Sequence, residues 1–158
     1  MARQETRTDE ETRTDDVAWT DPTCPVARTL DLVGDRWSLL IVRDAMDGAR
    51  AFTEFQQRTG IARNILTDRL RRLSERGILD RHTAPSGKRQ VYALTPAGRD
   101  LFTVVVALRQ WGERHAFTGG EARSVLVDRH GERLPELRPA DSRGAPADPD
   151  TTSVRRDD

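Results

Sequence analysis

The feature that most constrains the fold is an ordered series of segments in the middle of the chain. A short amphipathic segment, with Phe52 and Phe55 spaced i and i+3, ends at Thr59-Gly60, and a longer one covers residues 61–76. Two β-forming runs follow, separated by turn residues at 84–87. This order predicts two helices joined by a tight turn and followed by a two-stranded hairpin.

The longer segment has a narrow apolar stripe and a broad polar face when its residues are placed 100° apart. Leu66, Leu70 and Leu73 form the stripe. Arginine can bridge guanine O6 and N7, asparagine can pair with adenine, and threonine can bond a phosphate. The candidates for these contacts on the polar face and its flank are Arg63, Asn64, Thr67 and Arg71. The alternative is an ordinary solvated helix face.

The flanking segments complete a recognisable fold class. Pro25 opens a helical pattern that Gly34 closes, and Thr95-Pro96 gives an N-cap and first-turn proline to a strongly apolar helix. We therefore predict a mainly α fold with a small β-hairpin wing (α+β), a winged helix-turn-helix whose second helix is the recognition helix.

Charge is concentrated in the same region. Residues 50–89 carry ten basic side chains against four acidic ones, a net charge of +6, in a chain that is neutral overall. Such a patch favours an anionic partner, and we expect double-stranded DNA. Arg50 before the turn and Lys88 and Arg89 at the hairpin tip are candidate phosphate contacts. Arg69 and Arg76 are expected to face neighbours or solvent.

Asp68 complicates the polar face of the recognition helix because its carboxylate repels phosphates. It can pair with Arg71 or Arg72 at i+3 and i+4. It can alternatively accept a hydrogen bond from cytosine N4.

Composition divides the chain into four parts. Residues 1–23 are expected to be a disordered acidic tail, 24–116 the DNA-binding domain, 117–138 a small β-hairpin extension and 139–158 a second disordered tail. No apolar run is long enough to span a bilayer and no signal peptide is recognisable, so we expect no membrane partner and a cytoplasmic location.

The apolar helix after Thr95 predicts a second subunit. Leu101, Val104, Val105, Leu108 and Trp111 fall on one stripe. Phe102 and Val106 widen this stripe beyond what a small domain can cover, which favours self-association.

Several motifs resemble the HxlR-type family of bacterial winged-helix transcriptional regulators. They are the string from Cys24 to Trp37, the run 50–55, the segment 61–73, the run 92–98 and Trp111-Gly112-Glu113, and together they span 24–115. Asp35 departs from the family, which usually has a second glycine there. The resemblance implies regulators that often repress and commonly answer to electrophiles or small metabolites.

The resemblance also implies a homodimer built through the first and last helices, which presents two recognition helices to a near-palindromic operator. The interface candidates are Val26, Leu30, Leu101, Val105, Leu108 and Trp111.

Cys24 is the chain's one cysteine. In some members of the family a cysteine at the matching position senses oxidants or electrophiles, and the start of a helix favours the reactive thiolate. The alternative is a cysteine that only packs.

The sequence predicts no catalytic residues, no metal site and no cofactor, because no nucleophile has a base partner at motif spacing and no metal-ligand spacing is present. The function that we expect is that of a sequence-specific DNA-binding transcriptional regulator, a repressor that responds to an effector or to redox state. The alternative is a winged-helix module that binds acidic protein partners without specific DNA binding.

Overall fold

The predicted helices and hairpin are present in the computed structural model, which describes residues 17–121 and 123–156. The acidic repeat at the start of the chain lies outside these residues. The helices are α1 Pro25–Val33, α2 Ser38–Met46, α3 Phe52–Thr59, α4 Arg63–Glu75, α5 Pro96–Asp100 and α6 Phe102–His115. The strands are β1 Leu79–Thr83 and β2 Gln90–Leu94. The winged helix-turn-helix prediction is confirmed.

Side chains near the N-termini of α1 and α2 accept hydrogen bonds from backbone N–H groups there. The Sγ atom of Cys24 accepts from the Ala27 N–H at 3.5 Å, and proline occupies the first turn of α1. Asp35 accepts the backbone N–H groups of Trp37 and Ser38 at 2.9 and 3.1 Å. These bonds satisfy donors that a helix N-terminus leaves unpaired. Asp35 therefore helps to start α2.

The helix-turn-helix consists of α3, a tight turn and α4. Gly60 ends α3 in the left-handed conformation, with φ +67°, and its N–H donates to the Gln56 carbonyl. Glycine adopts this conformation without the steric cost that a Cβ atom brings. The chain reverses within three residues, so α4 begins immediately beyond the turn.

The wing, defined as residues 79–94, is an antiparallel hairpin. Leu79 pairs with Leu94 and Thr83 with Gln90. A bridge between Ala51 and Val91 attaches the wing to the start of α3. The wing is thus held against the same helices that form the helix-turn-helix.

The core fixes the orientation of α4. Leu66, Leu70 and Leu73 are almost fully buried, as the apolar stripe predicts. Phe55 on α3 meets Tyr92 on β2 edge to face, with ring centroids 6.2 Å apart. Burying one side of α4 leaves its polar side facing solvent.

The apolar helix expected after Thr95 is divided at Leu101 into α5 and α6. The Thr95 hydroxyl donates to the Gly77 carbonyl at 2.6 Å and accepts from the Gly98 N–H at 3.0 Å. A Cβ atom on Gly98 would lie 2.2 Å from the Ile78 carbonyl oxygen. Helix α5 is therefore packed tightly on the chain that enters β1.

The chain divides between Val105 and Val106 into two compact units. In the second unit, residues 123–138 lie along the polar side of α6. The Gln110 side chain donates to the Pro135 carbonyl and accepts from the Leu137 N–H, at 2.9 and 2.8 Å. Among the described residues of the extension, a single pair, Val127 with Arg133, forms an isolated β-bridge, and the two strands of the expected hairpin are not formed.

The described parts of the two predicted tails make short-range contacts. Thr20 donates twice to the Asp31 carboxylate, and Arg28 lies over the Trp19 ring at 4.7 Å. Trp19 supplies an apolar anchor that the preceding acidic repeat lacks. Residues 139–156 form local turns, including a bridge between Ala140 and Pro146. The domain boundaries at 23, 116 and 138 stay predictions.

Candidate nucleic-acid interface

The four recognition-helix candidates lie on one exposed side of the molecule. Arg63, Asn64, Thr67 and Arg71 are all exposed on α4. Their arrangement follows from the burial of the three leucines opposite them. A protruding helix with a polar outer face and a rigid inner face has the geometry that fits a DNA major groove.

Arg71 is held by two carboxylates of its own helix. Its guanidinium lies 2.7 Å from Asp68 Oδ1 and 2.7 Å from Glu75 Oε2. Asp68 also accepts from Arg72 Nε at 3.0 Å. The sequence offers Asp68 a pair with Arg71 or with Arg72, and in the structure it contacts both. The Glu75 pair was not predicted, although its i+4 spacing is visible in the sequence.

These contacts stabilise the charged form of Asp68. The hydrogen bond from Arg71 is the largest influence and, together with the contacts of Arg72, it holds the pKa of the Asp68 carboxyl below its ordinary value, although desolvation raises that pKa. Glu75 and Asp68 raise the pKa of Arg71 in turn. The polar face of α4 thus presents arginines that are partly neutralised before any ligand arrives.

The other candidates on α4 differ in how far they are already engaged. The Thr67 hydroxyl donates to the Arg63 carbonyl at 2.8 Å, and the Arg63 guanidinium lies over the Phe52 ring at 4.9 Å. Among the described residues, the Asn64 amide has no hydrogen-bond partner. Asn64 is therefore the candidate that is most open to a base edge.

The wing tip carries two unengaged cations. Lys88 and Arg89 are exposed, and their side chains make no hydrogen bond or ion pair within the part of the chain that the structure describes. The tip is closed by backbone bonds from the Ala84 N–H to the Arg89 carbonyl at 2.7 Å and from the Gly87 N–H to the Ala84 carbonyl at 2.8 Å. Free cations on a short, hydrogen-bonded tip suit contacts with phosphates.

Arg50, by contrast, is partly built into the fold. Its Nη1 donates to the Ala45 and Ala49 carbonyls at 2.9 and 3.0 Å, at the end of α2. Sequence reasoning placed Arg50 on a phosphate because it precedes α3. The accepting carbonyls are found only in the folded chain, so no spacing rule could reveal them.

Two further arginines of the basic region, which were expected to face neighbours or solvent, contact neighbouring segments. Arg69 Nε lies 3.3 Å from Asp35 Oδ1, and Arg76 donates to the Leu32 carbonyl at 2.7 Å. Both contacts tie α4 to the chain around α1 and the start of α2. The net charge of +6 therefore overstates how many cationic side chains of the region are free to contact a ligand.

The predicted interface residues fall into two groups. Val26 and Leu30 on α1 are 68% and 60% exposed, and Leu108 and Trp111 on α6 are 52% and 58% exposed. Leu101 and Val105 instead pack partly against the core. The side chains of the first group are exposed and can contact another subunit. Those of the second group also pack against the core of the single chain.

Cys24 is partly exposed at the N-terminus of α1. Within the described residues, no group of three or more potential metal ligands occurs, and no helix is long and apolar enough to cross a membrane.

Comparisons with known proteins agree with this geometry. The uncharacterized HTH-type transcriptional regulator Rv3095 of Mycobacterium tuberculosis is 48% identical over 91 residues, which are 57% of this chain and 58% of that protein. The chain thus spans less than two thirds of that relative's length.

Solved structures match as well. PA1607, a proposed transcription factor, has a TM-score of 0.83 at 47% identity, covering 87% of this chain and 97% of that chain. The redox regulator HypR in its reduced form has a TM-score of 0.55 at 33% identity, covering 59% of this chain and 94% of its own. The match to PA1607 therefore extends well beyond the helix-turn-helix.

The profile of the HxlR-like helix-turn-helix family matches residues 32–118, more than half of the chain. The protein belongs to the HxlR-like helix-turn-helix family.

Proposed function

We propose that this protein is a sequence-specific DNA-binding transcriptional regulator. The observation that carries the proposal is the exposed polar face of α4. This helix follows a tight turn and precedes a wing whose tip has two cations without a partner among the described residues. Asn64, Thr67, Arg63 and Arg71 enter the major groove, and Lys88 and Arg89 contact the phosphate backbone. The name of Rv3095 as an HTH-type transcriptional regulator supports this assignment.

The regulator acts as a homodimer on a near-palindromic operator. The exposed apolar residues of α1 and α6 support this assembly, because isolated exposed apolar side chains are common whereas stripes of them mark interfaces. Two recognition helices spaced by one helical turn of DNA read two half-sites. One copy of α4 contacts too few base pairs to select a site.

A gel shift with the DNA upstream of its own gene, against random competitor, tests the function. At two salt concentrations we expect the upstream DNA to resist competition by random duplex, while both complexes weaken as salt rises. A shift that random duplex removes as readily as the upstream DNA would favour the alternative, a winged-helix module for acidic protein partners.

Cys24 is the proposed site of a redox or electrophile response. Its thiol is partly exposed at a helix N-terminus, and HypR, a structural relative, is a redox regulator. Oxidation is expected to weaken operator binding, and Cys24→Ser is expected to abolish this response. An unchanged response in the variant would assign Cys24 to packing and N-capping alone.

A further inference from the structure

The first unit contains an open pocket whose lining combines an apolar wall with two arginines. Its volume is about 360 Å³, within the roughly 300–1,000 Å³ range of small-molecule sites. The lining residues are Ala45, Met46, Arg50, Leu94, Arg99 and Phe102. None of these is acidic, so the pocket is positively charged.

Arg50 offers the pocket a guanidinium in a fixed position. The two bonds from its Nη1 to carbonyls of α2 and the following loop leave Nε and Nη2 without an acceptor among the described residues. The nearby Glu54 carboxylate accepts the backbone N–H groups of Arg50 and Ala51, at 2.6 and 2.9 Å, and does not line the pocket. A guanidinium anchored on one side and unpaired on the other is preorganised for an anion.

Arg99 supplies the second cation. Its side chain makes no hydrogen bond or ion pair within residues 17–121 and 123–156. Its helix, α5, is fixed by the Thr95 hydroxyl and by the close approach of Gly98 to the Ile78 carbonyl. Two arginines on fixed backbone therefore face one cavity with no carboxylate in its lining.

We propose that this pocket binds a small organic anion, a carboxylate on an apolar body. The carboxylate pairs with Arg50 and Arg99, whose planar donors match its two oxygens. The body lies against Met46, Leu94 and Phe102, which inorganic anions would leave uncovered.

Occupation of the pocket is linked to the helix-turn-helix through the backbone of Arg50. The Arg50 carbonyl accepts from the Tyr92 N–H on β2 at 2.8 Å, and its N–H donates to Glu54 in the first turn of α3. A ligand that shifts the position of Arg50 is therefore expected to shift the wing and α3 as well. This coupling rests on the proposed DNA-binding function, whereas the ligand site does not.

Titration of the full chain with benzoate, without DNA, tests the site. The chain has two methionines, Met1 and Met46, so ¹³C-methyl methionine labelling gives one signal from the pocket and one reference. We expect benzoate to shift the Met46 signal saturably and to leave Met1 unmoved. Benzamide, which lacks the charge, is expected to bind at least roughly tenfold more weakly, as loss of charge-assisted hydrogen bonds requires.

Arg99→Gln and Arg81→Gln form a matched pair, because both remove one exposed arginine and only the first lines the pocket. Arg99→Gln should weaken benzoate binding by roughly tenfold or more, and Arg81→Gln should leave it unchanged. Equal weakening by both variants, equal binding of benzamide, or a Met46 signal that does not move would overturn the proposal. The effect of benzoate on operator affinity is measured separately, and its absence would overturn only the coupling.

Discussion

At the scale of single residues, the arginines of the basic region are not equivalent. Lys88 and Arg89 are unengaged, Arg71 is paired with carboxylates, and Arg50 bonds to backbone carbonyls. Binding to DNA therefore requires Arg71 to exchange Asp68 and Glu75 for nucleic-acid partners. The carboxylates of α4 therefore compete with DNA for the arginines of the same helix.

Replacing Asp68 with asparagine should strengthen binding to random duplex. The change removes a negative charge from the DNA-facing helix and releases Arg71 and Arg72, so we expect the slope of log affinity against log salt to steepen by about one unit. Fluorescence anisotropy over a salt series measures this. Glu132→Gln makes the same charge change in the extension and is the control; equal effects of the two variants would contradict the role assigned to Asp68.

Asp35 makes the stability of the fold depend on pH. Burial raises the pKa of the Asp35 carboxyl, but hydrogen bonds from Ser38 and Trp37 and the charge of Arg69 outweigh it and leave the pKa below its ordinary value of 3.8. Because the folded pKa is lowered, its stabilising effect is present above that ordinary value and is lost as pH falls through the folded pKa.

We therefore expect Asp35→Ala to lower the free energy of unfolding by about 1 kcal/mol at pH 7, similar to the usual cost of removing a side chain that accepts N–H groups at a helix N-terminus. The difference between variant and wild type should shrink below about pH 4. Urea unfolding at pH 7 and pH 3 measures it. A difference of the same size at both pH values would show that the charge of Asp35 is not what stabilises α2.

At the scale of elements, periodicity and turn residues are sufficient to predict the helices and the wing. The stripe of Leu66, Leu70 and Leu73 is buried, and Gly60 adopts the left-handed turn. Family resemblance and local spacing also identify the exposed face of α4. These features depend on residues close together in the chain, which is why sequence patterns reveal them.

The features that sequence reasoning missed depend on contacts between distant segments. The division of the apolar helix at Leu101, the bonding of Arg50 to the end of α2 and the placement of residues 123–138 along α6 are three examples. None is encoded by a local period. The cavity formed around Arg50 and Arg99 likewise requires the fold before it can be recognised.

Replacing two glycines with alanine should change stability in opposite directions, because Gly98 in α5 is closely packed and Gly112 in α6 is not. A Cβ atom on Gly98 would overlap the Ile78 carbonyl, whereas one on Gly112 in α6 would meet nothing within 4 Å. Gly98→Ala should lower the free energy of unfolding by about 1–3 kcal/mol, and Gly112→Ala should raise it by up to about 1 kcal/mol. Chemical denaturation compares the two, and a stable Gly98→Ala variant would contradict the close packing.

At the scale of the whole molecule, the proposed dimer depends on apolar side chains that the single chain leaves exposed. The extension lies on the polar side of α6, through Gln110 and the Arg114–Glu136 ion pair at 3.1 Å. Leu108 and Trp111 remain exposed. The extension therefore leaves the stripe that we assign to the partner uncovered.

Leu108→Glu should convert the protein from dimer to monomer and reduce operator binding, because a buried charge without a partner is costly at an interface. Sedimentation velocity measures the change in mass. Val125→Glu is the matched control, since Val125 is 47% exposed and Leu108 is 52% exposed. A dimer that survives Leu108→Glu, or that Val125→Glu disrupts equally, would place the interface elsewhere.

The central claim is that α4 reads the base sequence while the wing contacts phosphates. The most direct test is fluorescence anisotropy of Arg71→Ala and Lys88→Ala with operator and random duplexes over a salt series. Arg71→Ala should cost about 1–3 kcal/mol of operator affinity and much less with random DNA. Lys88→Ala should weaken both duplexes alike and flatten the salt dependence by about one unit. If both variants weaken operator and random DNA equally, this division of roles is wrong.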